Sequence, residues 1–114
     1  MIHRGEIYWV NLDPTVGTEI KKTRPCLVVS NDTANRYSSV ITIIPITSSL
    51  TRVYPFEVAL TVGSGGLKKD GVLKVNQIKT IDKARISGKP LGVTLDQDLL
   101  DQVAEAIKIH LDIS

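Results

Sequence analysis

Short runs of β-branched and other apolar residues, each followed by a turn segment, restrict this chain to a fold built from many short strands. Residues 26–30 and 40–46 are mostly apolar and β-branched, which is typical of strands buried on both faces or closed into a barrel. Residues 6–12 are rich in strand formers and end at the turn signal Asp13-Pro14. We therefore expect three strands in the first half of the chain.

Two later segments predict half-buried strands. Residues 56–62 place apolar side chains at every second position, and residues 71–81 alternate less regularly. The Gly-Ser-Gly-Gly segment at residues 63–66 connects them as a turn. Pro45 lies late in the 40–46 run and, because proline has no N–H for a ladder hydrogen bond, it predicts an edge strand or a bulge at that point.

The period of the apolar residues changes from Leu95 onward and predicts a helix. An apolar stripe recurs every four residues, at Leu99, Val103, Ile107 and Leu111. Thr94 and Gln97 match a capping box at the helix start. Short helical turns are also possible within residues 32–37 and 81–86. The chain thus predicts a mainly β (α+β) fold, a small and strongly curved β-barrel with a C-terminal helix and short helical additions.

Length and composition indicate one compact soluble domain over residues 1–114. Hydrophobic residues make up 42% and charged residues 23% of the chain, which excludes a disordered or fibrous protein. No apolar stretch is long enough for an export signal or a membrane span. The single cysteine, Cys26, lies inside an apolar run, so we assign it to packing and expect a reducing, cytoplasmic location.

Charge is distributed unevenly along the chain. Residues 1–94 carry 13 Lys or Arg and 7 Asp or Glu, a net charge of +6, whereas residues 95–114 carry 1 and 5, a net charge of −4. A basic body favours a polyanionic partner such as RNA or an acidic peptide. An ordinary solvated surface would give the same pattern about as often.

Arg24 is the first candidate for a functional side chain. It follows Lys21 and Lys22, and it precedes Pro25, which disfavours helix at Arg24 and marks the start of a strand. Three cations at a strand entrance form a site where an anion can be held. Taken alone, Arg24 is also consistent with a surface arginine beside a core strand.

Thr47 is the second candidate, because residues 45–49 carry a buried strand into a Thr-Ser-Ser turn. An arginine fork and a hydroxyl can both donate to phosphate oxygens and stabilise charge that develops at phosphorus. RNA supplies its own nucleophile, the 2′-hydroxyl, so cleavage by such a site needs no metal. A threonine at a strand end can equally serve as a local cap.

Other catalytic classes find little support in the sequence. The two histidines, His3 and His110, lie at opposite ends of the chain, so a histidine pair is not expected. The sequence contains no HExxH or CxxC motif and no clustered His and carboxylate spacing. We therefore expect neither a metal site nor a cofactor.

Several motifs occur together in an order that is specific. They are Arg4-Gly5-Glu6-Ile7, Asp13-Pro14, Gly17-Thr18-Glu19, Arg24-Pro25, Pro45-Ile46-Thr47, Tyr54-Pro55-Phe56-Glu57-Val58, Asp70-Gly71 and Gln77-Ile78-Lys79-Thr80-Ile81-Asp82. From Arg4 to the terminal helix, the chain strongly resembles the MazF/PemK family of toxin endoribonucleases of type II toxin–antitoxin systems.

This resemblance implies an SH3-like β-barrel that assembles as a homodimer and cuts single-stranded RNA at a short sequence without a metal. The expected products carry a 2′,3′-cyclic phosphate and a 5′-hydroxyl, and the catalytic pair falls on Arg24 and Thr47. The RNA-binding groove is expected to contain Thr18, Glu19, Ser48 and Gln77 by resemblance, and Lys21 and Lys22 by charge. Some relatives carry an acid before the matching glutamine, whereas this chain has Asn76, which cannot act as a base.

The resemblance also implies an antitoxin partner whose acidic or amphipathic tail covers the basic groove. Two alternatives stay open: a non-enzymatic inhibitor that uses the same barrel to bind a protein such as DNA gyrase, and a binding module without catalytic activity. The presence of Arg24 and Thr47 together favours the enzyme. We expect the loops at residues 14–23 and 48–54 to determine which RNA sequence is cut.

Overall fold

The computed structural model describes residues 1–48 and 53–114. Ser49 of the predicted hydroxyl-rich turn and residues 49–52 of the second predicted specificity loop lie outside the described residues. The strands are β1 (Ile7–Asn11), β2 (Thr23–Val28), β3 (Val40–Thr47), β4 (Val58–Leu60), β5 (Gly71–Leu73), β6 (Lys79–Asp82) and β7 (Ile86–Ser87), and the α-helices are α1 (Asp32–Tyr37) and α2 (Gln97–Leu111). The predicted strands and the terminal helix are confirmed in type and order, as is the strand start at Arg24-Pro25.

The strands form one antiparallel sheet in the order β4-β5-β3-β2-β1-β7, and β6 pairs with the first half of β3. The six pairings found among residues 1–48 and 53–114 are all antiparallel. Within the described residues the two outer strands, β4 and β7, do not pair with each other, so the sheet is not closed into a ring. The mainly β fold with a C-terminal helix is as predicted, but the expected barrel is an open sheet.

Pro45 lies in the most central strand, so the prediction of an edge strand is wrong. On one side of β3, residues Val40–Ile43 pair with β6 and Ile46–Thr47 pair with β5, and Pro45 lies at the junction between these partners. The Pro45 carbonyl points toward this junction and accepts from Lys74 N at 2.9 Å. The nitrogen of a strand residue points to the same side as its carbonyl, so a donor at Pro45 would face the Lys74 carbonyl. That carbonyl accepts from Gln77 N at 2.9 Å, so the missing N–H leaves it with a partner.

Residues 71–81 form two strands rather than the single strand predicted. Leu73 is opposite Ile46, and Lys79 is opposite Ile43, so β3 advances three residues while its partner advances six. The three additional residues form the 3₁₀ turn Val75–Gln77, which separates β5 from β6. These three additional residues explain why apolar side chains alternate irregularly in residues 71–81.

Both faces of the sheet are buried, which explains the nearly unbroken apolar run in β3. Ile44 and Ile46 belong to a core cluster that includes Val103 of α2. Ile41 and Ile43 point to a second cluster together with Tyr8, Val10 and Cys26 among others. Alternation in β3 therefore divides apolar residues between two cores rather than between core and solvent.

Helix α2 begins two residues later than the capping box predicts. Its N-cap is Asp96, whose Oδ1 accepts from Leu99 N at 2.9 Å, and the first helical residue is Gln97. A short side-chain carboxylate at the N-cap satisfies an unpaired backbone donor, and here Asp96 takes the role assigned to Thr94. The fully buried residues are Leu100, Val103 and Ala106, and Leu99 and Ile107 pack half-buried against the same core. The predicted stripe, which also had Leu100 beside it, is therefore correct except at Leu111, which is exposed.

The shorter helical segments were located correctly. Residues 32–37 form α1, and residues 81–86 contain the 3₁₀ turn Lys83–Arg85. No helix in the described part of the chain has the length and apolar character that crossing a membrane requires.

Candidate active site

Arg24 and Thr47 line one cavity of about 120 Å³, together with Ser48. They come from neighbouring antiparallel strands, in which Cys26 is opposite Pro45. Continuing this register by two residues sets Arg24 opposite Thr47, and directly opposed residues project from the same face of a sheet. Arg24 and Thr47 thus lie side by side at the edge where β2 begins and β3 ends.

Arg24 is oriented by the loop that precedes it. Its Nε donates to the Lys21 carbonyl at 3.1 Å. The loop is closed by hydrogen bonds from Leu12 N to Lys22 O at 2.9 Å and from Lys22 N to Asp13 Oδ1 at 3.1 Å. This bond holds the guanidinium through Nε and leaves the donors of its two terminal nitrogens outside it.

Thr47 is fixed by its pairing with Val72 of β5. The neighbouring Gly71 packs so closely that a Cβ there would lie 2.6 Å from Ile46 Cγ2 and 3.2 Å from the Thr47 carbonyl. A larger residue at position 71 would push β5 away from the end of β3. The Asp70-Gly71 motif of the sequence therefore shapes the wall of this cavity.

The other predicted groove residues fall into two groups. Thr18, Glu19 and Gln77 line a second cavity of about 350 Å³, whereas Lys21 and Lys22 are exposed and lie outside the linings of both cavities. Gln77 Oε1 accepts from Ile20 N at 2.7 Å, and Glu19 Oε1 accepts from Val16 N at 2.6 Å. These two side chains therefore support the loop conformation, a role that the sequence did not reveal.

One aromatic and two charged residues that line the first cavity were not among the predicted site residues: Trp9, Lys69 and Asp70. Trp9 is 46% exposed, although it lies between the buried Tyr8 and Val10. An apolar run in a strand buried on both faces hides such a residue, and only the sheet register reveals it. Asp70 belongs to a quoted motif, but a turn was the only role that the sequence suggested for it.

Cys26 is fully buried, and burial raises the pKa of its thiol to about 12. The assignment of Cys26 to packing is therefore confirmed. In the described ranges, 1–48 and 53–114, no three His, Cys, Asp or Glu side chains are grouped so that they could hold a metal ion.

Known endoribonucleases and solved MazF structures are similar to this chain over nearly its whole length. The chain is 42% identical to endoribonuclease MazF9 of Mycobacterium tuberculosis (strain ATCC 25618 / H37Rv) over 118 residues, which cover 99% of this chain and 98% of that protein. It is 36% identical to endoribonuclease EndoA of Bacillus subtilis (strain 168) over 112 residues, covering 97% and 95% of the two chains. The crystal structure of MazF from Deinococcus radiodurans superposes with a TM-score of 0.83 at 27% identity, covering 97% of this chain and 96% of that one.

A family model described as PemK-like, MazF-like toxin of type II toxin–antitoxin system matches residues 3–111. Since this match spans every strand of the described sheet and the whole of α2, and relatives above 30% identity cover nearly the full chain, the chain belongs to the PemK-like, MazF-like family of toxins of type II toxin–antitoxin systems.

Proposed function

We propose that this protein is the toxin of a toxin–antitoxin pair and cuts single-stranded RNA at selected sequences, with Arg24 and Thr47 as its catalytic residues. The observation that carries the proposal is that both residues line one cavity of about 120 Å³. This volume is well below that of a typical small-molecule site and suits a phosphate group better than a whole nucleotide. The endoribonuclease relatives support RNA as the substrate.

The proposed reaction is an internal transesterification. The RNA 2′-oxygen forms a bond to phosphorus, the bond from phosphorus to the 5′-oxygen breaks, and the products are a 2′,3′-cyclic phosphate and a 5′-hydroxyl. The Arg24 guanidinium stabilises the negative charge on the non-bridging oxygens, and the Thr47 hydroxyl donates to one of them. This scheme takes nothing from a metal ion or a cofactor.

The proton balance requires an acceptor for the 2′-hydroxyl proton and a donor for the leaving 5′-oxygen. Asp70 contributes a carboxylate to the same lining, and we assign it the role of acceptor. Its Oδ1 accepts from Val62 N at 2.8 Å, a bond that fixes the orientation of the carboxylate. The proton then passes to the 5′-oxygen from the protonated Asp70 or from water.

Membership of a toxin–antitoxin family supports an antitoxin as the protein partner. Its acidic or amphipathic segment would cover the basic surface and exclude RNA. We also expect the toxin to act as a homodimer in the cytoplasm, where mRNA is accessible. Sedimentation of the purified protein tests the dimer.

The test is cleavage of a long single-stranded RNA of mixed sequence in the presence of a chelator, with the 5′-hydroxyl ends mapped by sequencing. Wild-type protein should give discrete cuts, and Arg24→Ala or Thr47→Ala should lower the rate by about 100-fold or more. Arg36→Ala is the matched control, since Arg36 is exposed on α1 and contacts the Tyr37 ring. Full activity in Arg24→Ala would refute the mechanism, and inhibition of gyrase without any RNA cleavage would favour the non-enzymatic alternative.

A further inference from the structure

A larger groove adjoins the cavity that contains Arg24 and Thr47. It has a volume of about 500 Å³, and we call it the Trp9 groove after its aromatic residue. It shares Trp9, Pro25, Leu67 and Lys69 with the smaller cavity, so the two are continuous. Lys68 and Lys89 add two further cations to its rim.

Trp9 is presented rigidly to this groove. It lies in the middle of β1, where it is opposite Pro25 of β2 and Ser87 of β7. Its neighbours Tyr8 and Val10 are 4% and 0% exposed, whereas Trp9 itself is 46% exposed. The indole is thus an accessible aromatic surface on an anchored strand.

The walls of the groove are also fixed in position. The Leu91 amide donates to the Ile7 carbonyl at 2.8 Å, which ties the segment after Lys89 to β1. Gly66 packs against this segment so closely that a Cβ would lie 2.3 Å from the Leu91 carbonyl oxygen. The groove is therefore formed before any ligand arrives, which lowers the entropic cost of binding.

We propose that the Trp9 groove is a nucleotide-binding subsite for the RNA strand being cut. One base next to the scissile linkage stacks on Trp9, and its backbone phosphate is neutralised by Lys68, Lys69 and Lys89. This inference rests on the proposed ribonuclease function and extends it to a neighbouring nucleotide.

Two features favour RNA over an acidic peptide as the occupant. An aromatic platform beside a row of cations is the usual arrangement for binding single-stranded nucleic acid without reading its sequence. The groove is also continuous with the cavity assigned to the scissile phosphate, so a strand held there has a direct path for its next nucleotide past Trp9. Lys69 lines both cavities and can therefore contact the phosphate that joins them.

The chain has a single tryptophan, so its fluorescence reports directly on this groove. The probe is a single-stranded RNA with one 2′-deoxynucleotide at the mapped cut site, which can bind but cannot be cleaved there. Wild-type fluorescence should be quenched in a saturable way. Shortening the probe from the side that reaches Trp9 should abolish the quenching, while shortening it from the other side should not.

Variants test the stacking by anisotropy of the labelled probe. Trp9→Ala should weaken binding by about 5- to 150-fold, and Trp9→Phe should restore most of it because a ring remains. Tyr37→Ala is the matched control, since Tyr37 is 77% exposed on α1 and lies in neither the Trp9 groove nor the smaller cavity. Circular dichroism verifies that each variant is folded.

Variants of the lysines test the phosphate contacts independently of Trp9. The double variant Lys68→Gln/Lys89→Gln should lower the slope of log affinity against log salt by about 0.7 per lost contact. Lys108→Gln, a half-exposed lysine on α2 that pairs with Glu105, should leave the slope unchanged.

The outcomes separate this proposal from the function on which it rests. If wild-type protein cuts RNA but Trp9→Ala and the lysine variant bind and cut as wild type does, the subsite is refuted and the ribonuclease stands. If an acidic peptide quenches Trp9 and the RNA probe does not, the groove belongs to a protein partner and the proposal is wrong. Failure of the proposed function would instead appear as wild-type protein that cuts no RNA of any sequence.

Discussion

The pair formed by Glu57 and Lys74 offers the sharpest test of how this small fold is stabilised. The Glu57 side chain is fully buried, accepts from Lys74 Nζ through Oε2, and accepts from Tyr54 N through Oε1 at 2.9 Å. Burial raises the pKa of Glu57, but the Lys74 hydrogen bond, the Tyr54 amide and the Lys74 charge together lower it below its usual value. Glu57 is therefore ionised inside the protein and depends on Lys74.

The change to make is Lys74→Met, which keeps the length of the side chain and removes its charge. Breaking a buried pair costs about 3–5 kcal/mol, and we expect about 3 kcal/mol because the Tyr54 amide remains. With an unfolding entropy of about 2.1 cal/mol/K per residue, 114 residues give about 0.24 kcal/mol/K, so Tm should fall by about 12 °C. Denaturant unfolding at pH 7 measures the loss directly.

The pH dependence distinguishes an unpaired charge from a simple packing defect. In the wild type the folded pKa of Glu57 is lowered, so the stability from the pair is present above about pH 4.3 and is lost as the pH falls through the folded pKa. In Lys74→Met burial raises the pKa of Glu57 instead, so Glu57 takes up a proton at a higher pH. Once it is protonated, the cost of burying an unpaired carboxylate is smaller. The difference in unfolding free energy between wild type and Lys74→Met should therefore narrow from pH 7 to pH 4.

Two further variants complete this test. Glu57→Gln/Lys74→Met should lose less stability than Lys74→Met, because a buried amide needs no counter-charge. Lys108→Met removes an exposed pair with Glu105 and should cost less than about 1 kcal/mol. A loss below 1 kcal/mol in Lys74→Met, or a difference from wild type that stays constant between pH 7 and pH 4, would contradict this reasoning.

Three more predictions follow from the packing and the helix cap. Asp96→Ala should lower the free energy of unfolding by about 0.5–2 kcal/mol, while Thr94→Ala should change it little. Equal losses for the two variants in urea titrations would contradict Asp96 as the N-cap and favour the predicted capping box at Thr94. Gly66→Ala should destabilise the protein by more than 1 kcal/mol, because its φ of +89° and the nearby Leu91 carbonyl both exclude a side chain; an unchanged Tm would contradict the packing. The Cys26 thiol should resist alkylation at pH 8 in the native protein and react only after unfolding, and rapid native-state labelling would show that the core opens there.

Sequence patterns located most elements because local chemistry and tertiary packing agree there. Cys26, Ile44 and Val103 lie in apolar runs with the correct period, and all three are fully buried. In the sheet, the errors arose where long-range pairing decides the outcome. Pro45 is accommodated in a central strand only because two partners meet beside it, and the split of residues 71–81 depends on a register excess that no local pattern contains.

The residues of the candidate site could be predicted from the sequence only in part. Motifs pointed to Arg24 and Thr47, since a charged strand start and a hydroxyl-rich strand end are local features. Trp9 was not accessible, because its exposure depends on which neighbours cover it in the folded sheet. The hydrogen bond from Ile20 N to Gln77 likewise spans 57 positions of the chain and has no local signature.

The 3₁₀ turn Val75–Gln77 ties the buried ion pair and the orientation of Arg24 to one short segment. Lys74 immediately before it holds the buried Glu57, and Gln77 at its end holds the loop that orients Arg24. A substitution in this turn would disturb both contacts at once, so natural variation that retargets the enzyme is expected to spare it. Changes in specificity should accumulate instead in the loop around Gly17 and Thr18, where the backbone can vary without loosening the core.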